Sequence, residues 1–167
     1  MDFEVRPVVE DDWQQYRAIR LEMLLDTPSA FTVHLETAQA YAEEEWRERA
    51  RRGESSEQIL IAAITTEGTW IASMGSYVDK ELGGPMLVGV YVTPAFRGRD
   101  AGVTDALLER IETWAAQNFS TLRLEVHEDN ARARSAYIKR GFVETGHRRP
   151  YDLDPTRDEI EMIKRLR

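Results

Sequence analysis

"VYVTPAFRGRDAGVTDALLERIETW", residues 90–114, joins two apolar signals through a loop that is neither. Val90, Tyr91 and Val92 read as a strand. Val103, Ala106, Leu107, Ile111, Trp114 and Ala115 recur at helical spacing. Between them, Arg97-Gly98-Arg99-Asp100-Ala101-Gly102 sets two glycines among arginines. A helix N-terminus carries unpaired N–H groups and about half a positive charge, so anions settle there. Gly98 and Gly102 let the backbone turn tightly and approach a ligand, and Arg97 and Arg99 add forked donors suited to phosphate. By pattern alone, a plain strand-to-helix turn with solvated arginines fits equally well. No Gly-Lys-Ser/Thr follows and the spacing does not make G-x-G-x-x-G, so P-loop and dinucleotide-fold readings lose their support.

Working outward, Phe3 to Val9 reads as a first strand, followed by Glu10-Asp11-Asp12, acids suited to a helix start. Trp13, Tyr16, Ile19 and Met23 mark that helix, which ends near Asp26-Thr27-Pro28. A second helix is expected over Thr37–Arg52, with Glu43/Arg47, Glu45/Arg49 and Glu48/Arg52 at i,i+4 on its outer face. Strands are expected at Gln58–Thr65, Thr69–Val78 and Met86–Thr93, the last two joined through Leu82-Gly83-Gly84-Pro85. Thr121–His127 alternates, with Leu122, Leu124 and Val126 on one face and Arg123, Glu125 and His127 on the other. Ala131–Arg140 is a short helix stopped by Gly141, and Phe142–Gly146 and Glu159–Leu166 close the sheet. The order β-α-α-β-β-β-α-β-α-β-β, with hairpins before helical crossovers, implies an α/β fold with a mixed sheet rather than a doubly wound parallel one. With 167 residues and no repeat or linker, one domain spanning residues 1–167 is expected.

Composition narrows the function. Net charge is −8, which disfavours a general nucleic-acid grip; the Arg132/Arg134 and Arg148/Arg149 pairs are local. No cysteine is present, which removes thiol nucleophiles and cysteine–zinc sites, and His34, His127 and His147 lack ligand spacing, so no metal is expected. The first residues lack signal-peptide character and no apolar run reaches the ~20 residues of a membrane span, so no membrane role and a cytoplasmic location are expected.

Two segments carry a family resemblance. Val90-Tyr91-Val92-Thr93-Pro94 followed by Arg97-Gly98-Arg99-Asp100-Ala101-Gly102 resembles the Arg/Gln-x-x-Gly-x-Gly/Ala motif of the GNAT superfamily of acyl-CoA N-acyltransferases. Asn130-Ala131-Arg132-Ala133-Arg134-Ser135-Ala136-Tyr137, running on to Gly141-Phe142, resembles its N-x-x-A-x-x-x-Y-x-x-x-G-F segment. The resemblance implies a GNAT-like, mostly antiparallel central sheet flanked by helices. It implies an enzyme that moves an acetyl group from acetyl-CoA directly to a primary amine of a small molecule or peptide, without a metal. Val90, Tyr91 and Val92 would pair with the pantetheine arm. The loop of Arg97, Gly98, Arg99, Asp100, Ala101, Gly102 and Val103 would hold the pyrophosphate. Asn130 would contact the same cofactor, and Tyr137 would face its sulfur. Members often dimerise, so a homodimer is compatible with the resemblance.

Asp100 departs from the pattern, which has glycine there. Its side chain is expected to turn outward as an N-cap of the following helix, and Asp100→Gly is expected to tighten acetyl-CoA binding in a calorimetric titration. The alternative is a non-catalytic acyl-CoA-binding or sensing module with a weakened loop. For the chemistry, Tyr137 is the candidate acid for the leaving thiolate, since a phenol with pKa near ~10 stays protonated at neutral pH. Glu125 is the first candidate base for the acceptor ammonium and His127 the second, while an ordinary polar strand face fits both residues at least as well and a water chain could serve instead. The resemblance sets Glu36, Asp79 and Glu81 on loops beside the acceptor groove, where they could attract a cationic acceptor, although solvated loop acids explain them better. Tyr151-Asp152-Leu153-Asp154-Pro155 is a further rim.

Overall fold

From Ile59 to Ile64 every residue is apolar, so strand alternation produces two apolar faces rather than one. Ile59, Ile61 and Ala63 join one buried layer, while Leu60, Ala62 and Ile64 join another on the opposite side of the sheet. The computed structural model, which describes residues 2–166, builds both layers around a seven-stranded sheet. The strands are β1 (Phe3–Pro7), β2 (Gln58–Thr65), β3 (Trp70–Asp79), β4 (Gly84–Val92), β5 (Thr121–His127), β6 (Val143–Tyr151) and β7 (Asp154–Arg165). The helices are α1 (Trp13–Asp26), α2 (Leu35–Gln39), α3 (Glu43–Ala50), α4 (Val103–Ala116) and α5 (Ala131–Ile138). Strand order is β1-β2-β3-β4-β5-β7-β6, and only the β4–β5 pair is parallel. The expected mixed, mostly antiparallel sheet flanked by helices is thus the observed one.

One layer packs Val103, Leu107, Ile111 and Trp114 of α4 against Ile61, Ile71, Leu122 and Leu124. The other packs Tyr16, Ile19 and Met23 of α1 and Trp46 of α3 against the far face. Each fully buried leucine or isoleucine in these layers is worth roughly 1.5–3 kcal/mol. Asp12 fixes the entry to α1: its carboxylate accepts the Val9 N–H at 2.9 Å and pairs with Arg6 at 2.7 Å.

The expected single helix over Thr37–Arg52 is two helices broken at residues 40–42. Ala42 is extended (φ −71°, ψ 162°), and Glu43, Glu44 and Glu45 form a new acidic first turn that complements the α3 dipole. Tyr41 at the break packs edge-on against the buried Trp46, centroids 5.5 Å apart. Of the three expected i,i+4 pairs, Glu43–Arg47 (2.8 Å) and Glu45–Arg49 (3.1 Å) form. The third, Glu48–Arg52, does not form among the described residues, while Arg51 reaches Glu10 and Glu44.

The closing hairpin is longer than the expected strands. Residues 147–158 carry too many charges and two prolines to read as strand, yet ion pairs hold them: Arg148–Asp158 at 3.3 Å, Arg149–Glu159 at 2.8 Å and Arg157–Glu128 at 3.3 Å. Pro150 is tolerated because β6 is an edge strand. The expected rim at Tyr151–Pro155 is accordingly the tip of this hairpin.

The feature that shapes the site is a bulge in β4. Tyr91 lies opposite Ser73 and Val88 opposite Gly75, which leaves Gly89 and Val90 facing the single residue Met74. Gly89 takes φ +60°, where a side chain costs ~1–2 kcal/mol. β4 meets β5 only at Met86–Arg123 and Leu87–Leu124, and past the bulge the two strands separate. Gly89→Ala is expected to lower Tm by about 2–8 °C, which a thermal melt reads directly.

Candidate active site

The gap between β4 and β5 exposes backbone that the sheet does not use. Thr93 donates to Ile71 of β3 at 2.9 Å, and bonded pairs alternate in an antiparallel ladder. Tyr91 therefore turns its main chain to β3, while Val90 and Val92 aim theirs into the gap. The Val92 carbonyl already accepts Arg97 Nε at 2.8 Å, so the Val92 N–H and both Val90 groups are left. The Tyr91 side chain points to the other layer, where its hydroxyl donates to Glu22 at 3.0 Å and burial raises its pKa.

The gap opens on a groove of about 900 Å³ walled by Val90–Val92, the 97–99 loop, Thr104 and one face of α5. Gly98 (φ +107°) and Gly102 (φ +68°) hold the loop in left-handed backbone, and a Cβ at either would meet no atom within 4 Å, so the loop's inner surface stays open. Gly102 is the N-cap of α4 and no side chain caps that helix, which leaves the first-turn N–H groups, starting at Val103, for an anion. Asp100 stands exposed in the one-turn segment Arg99–Ala101, off the groove wall. It turns outward as expected, but the N-cap expected of it is Gly102, because the extra turn carries Asp100 away from the helix end.

Charge is distributed unevenly. Most arginines of this acidic chain pair with carboxylates, Arg97 with Asp26 and Arg140 with Asp105 among them. Arg97 also lies over the Tyr91 ring at 5.5 Å, so it braces β4 against α1 while lining the groove. Among the described residues, Arg99, Arg132 and Lys139 have no acidic partner, and all three line this groove. A groove with free backbone donors, glycine-lined amides and unneutralised cations fits the polyanionic coenzyme that the resemblance implies. Asn130 caps α5, its Oδ1 accepting the Ala133 N–H at 3.1 Å, which turns its NH₂ free for the groove. Tyr137 packs edge-on against Phe142 at 5.6 Å; its hydroxyl has no hydrogen-bond partner among the described residues, and burial pushes it up to about 12.

On the opposite face lies a second cavity, about 400 Å³, bounded by α1, the segment around Phe31, β3, the β4 bulge and the ends of β5, β6 and β7. Between them a small passage of about 80 Å³ shares wall residues with both, Gly89 and Glu125 with the second cavity and Asn130 and Tyr137 with the groove. Glu125 faces this second cavity, as its strand alternation implies, and forms an ion pair with Arg149. Beside it stands Glu159, which the sequence reading placed only in a closing strand. It is 7 % exposed, with Arg149 Nη2 2.8 Å from its Oε2. Burial lifts the Glu159 carboxyl to about 7, and hydrogen bonding with Glu125 adds to the lift. Alternation against Ile160 and Met162 was the signal that sets Glu159 on the Glu125 face. His127 lines the passage but is 7 % exposed, stacks edge-on against Tyr151 at 4.9 Å, and accepts the Asp129 N–H on Nδ1 at 3.1 Å. The Tyr151 hydroxyl donates to the Phe31 carbonyl, clamping the hairpin tip to the segment over the second cavity. Glu36, Asp79 and Glu81 do not line that cavity. The arrangement can therefore hold a proton acceptor in the second cavity and a proton donor in the groove, with residues of both in the wall of the small passage between them.

Among the described residues no cluster of His, Cys, Asp or Glu could hold a metal, and no helix is long and apolar enough to cross a membrane. No curated protein matches this chain. Solved structures similar in fold include the acetyltransferase of the GNAT family from Streptococcus pneumoniae, 21% identical over 99% of this chain and 100% of that one, TM-score 0.82. The PaiA N-acetyltransferase of Thermoplasma acidophilum in complex with coenzyme A is 18% identical over 99% and 100%, TM-score 0.76. The spermidine N-acetyltransferase of Vibrio cholerae in complex with CoA and spermine is 15% identical over 98% and 95%, TM-score 0.73. A model of the acetyltransferase (GNAT) family matches residues 13–142, which takes in the loop, both cavity walls up to α5 and Phe142. With strand separation, glycine loop and family match in agreement, the chain belongs to the GNAT family of acetyltransferases.

Proposed function

We propose that this protein is an N-acetyltransferase that takes acetyl-CoA in the groove between β4 and α5 and a primary amine of a small molecule or a peptide terminus in the opposite cavity. The observation that carries the proposal is the small passage at the strand gap, with Tyr137 and Glu125 both in its wall and Glu159 hydrogen-bonded to Glu125 in the adjoining cavity. Two structures similar to this one contain coenzyme A, which supports the choice of donor.

Acetyl-CoA, when bound, supplies a thioester carbonyl carbon that a neutral amine attacks. The free N–H and C=O of Val90 and the N–H of Val92 would hold the pantetheine as an added strand. The α4 amides from Val103, with Gly98, Gly102, Arg99, Arg132 and Lys139, would hold the phosphates. The main-chain N–H groups bordering the bulge would polarise the thioester carbonyl. An amine with pKa near ~10 arrives protonated, and the Glu125–Glu159 pair takes that proton. Arg149 keeps the two carboxyls together without neutralising both. Tyr137 holds a proton at its otherwise unengaged hydroxyl, where a departing thiolate needs one.

The non-catalytic binding-module reading drew its case from Asp100, which stands exposed and away from the groove wall. The proposal is tested by thiol release from acetyl-CoA over a panel of small amines and peptides. Turnover with at least one amine is expected; coenzyme A binding with no turnover on any acceptor would favour the binding module.

A further inference from the structure

The second cavity has a feature that a proton acceptor for an amine does not explain. Among the described residues, the arginines without a carboxylate partner are Arg17, Arg20, Arg52, Arg99, Arg132 and Arg165. Two of these, Arg99 and Arg132, face the groove already assigned to phosphates. Arg20 and Arg52 face the other cavity, together with Arg49. Arg20 is partly buried on α1, with its guanidinium 5.8 Å from the Phe31 ring centroid and Nη1 3.5 Å from where a Cβ on Gly89 would sit. Its terminal nitrogen thus stands beside the bulge, close to the mouth of the passage. Arg49 spends one nitrogen on Glu45 at 3.1 Å and lies over Tyr41 at 4.6 Å, while its Nε is buried without a partner. The three arginines are near enough to repel one another, and desolvation pulls Arg20 below the usual arginine value.

A buried guanidinium without a counter-charge is costly, in a chain that has acids to spare. Arg20 has no carboxylate partner, and with Arg49, whose Nε is unpartnered, and the exposed Arg52 around the same cavity it forms a site suited to an anion that arrives from outside. The same cavity ends in Glu125 and Glu159, which suit an ammonium. We propose that the acceptor is a zwitterion, an amine whose other end is a carboxylate, with Arg20 as its principal anchor and Arg49 and Arg52 in support. The inference rests on the acetyltransferase reading for the role of the carboxyl pair, but the anion site stands apart from it. Purely cationic acceptors, such as diamines and polyamines, are repelled by the arginines. This replaces the cationic acceptor expected from Glu36, Asp79 and Glu81.

The test is isothermal titration of the whole chain with glycine, β-alanine, 4-aminobutyrate, 2-aminoethylphosphonate and 1,4-diaminobutane, with and without coenzyme A. At least one amino carboxylate is expected to bind at least tenfold more tightly than the diamine. Arg20→Gln is expected to weaken that binding by about 10–100-fold while coenzyme A affinity is unchanged. Should the phosphonate alone bind, the anchored group is a phosphate and the carboxylate assignment is wrong. Arg52→Gln, at an exposed position that cannot unfold the chain, is expected to weaken binding by severalfold. The inference is overturned if the diamine binds best, or if both variants leave the order of ligands unchanged. Failure of coenzyme A to bind would instead count against the acetyltransferase reading, since the amino carboxylate titration without it stands on its own.

Discussion

Tyr137→Phe is expected to lower kcat by on the order of 10²–10³-fold, within the range a positioned general acid supplies. KM for acetyl-CoA should move by less than about threefold. The hydroxyl is the only part removed. The ring keeps its edge contact with Phe142, and no described residue loses a hydrogen bond. Because burial holds the phenol at about 12, it carries its proton throughout the working range, so the loss should be uniform from pH 6 to 9. Steady-state thiol release across that range measures it. A kcat within about threefold of wild type, with the melt unchanged, would reduce Tyr137 to a packing residue.

Glu159→Gln is expected to lower kcat/KM for the amine by about 10²-fold at pH 7.5 and to remove the acidic limb of the pH profile. The sign follows from the ionisation that the reaction needs. A carboxyl lifted to about 7 is a competent base only when ionised, so wild-type activity should fall about tenfold per pH unit below 7 and level above it. Glu125→Gln should move that limb to lower pH, because it takes away a like charge and the hydrogen bond that help to lift Glu159. An unshifted limb in both variants would assign the base to another group or to water.

How much of this was legible before the structure depended on the kind of signal involved. The glycine loop and α4 were readable because a strand, two glycines and a helical apolar stripe are local patterns. Thr121–His127 was readable because one face is apolar, which put Glu125 on the right side. The break at residues 40–42 was hidden, since nothing in Thr37–Arg52 interrupts helix propensity; it accompanies the long-range packing of Trp46 in the core, with Tyr41 edge-on against it. The long β6–β7 hairpin was hidden because ion pairs rather than apolar alternation hold it, and Glu159 was overlooked with it. The Gly89 bulge depends on the register with β3, and the unpaired state of Arg20 depends on which acids fail to reach it. Neither is written in a local stretch. These non-local features form the passage and the acceptor cavity, so the donor half of the site was more readable than the acceptor half.

The central claim is that the separation of β4 from β5 beyond Leu87 exists to admit a coenzyme thioester arm beside Tyr137. A crystal structure of the protein with coenzyme A tests it most directly. The account predicts the diphosphate on the amides of the 98–103 loop, the pantetheine hydrogen-bonded to Val90 and Val92, and the sulfur within reach of the Tyr137 hydroxyl. Coenzyme A seated elsewhere, or a groove still closed to it at saturating concentration, would contradict the account.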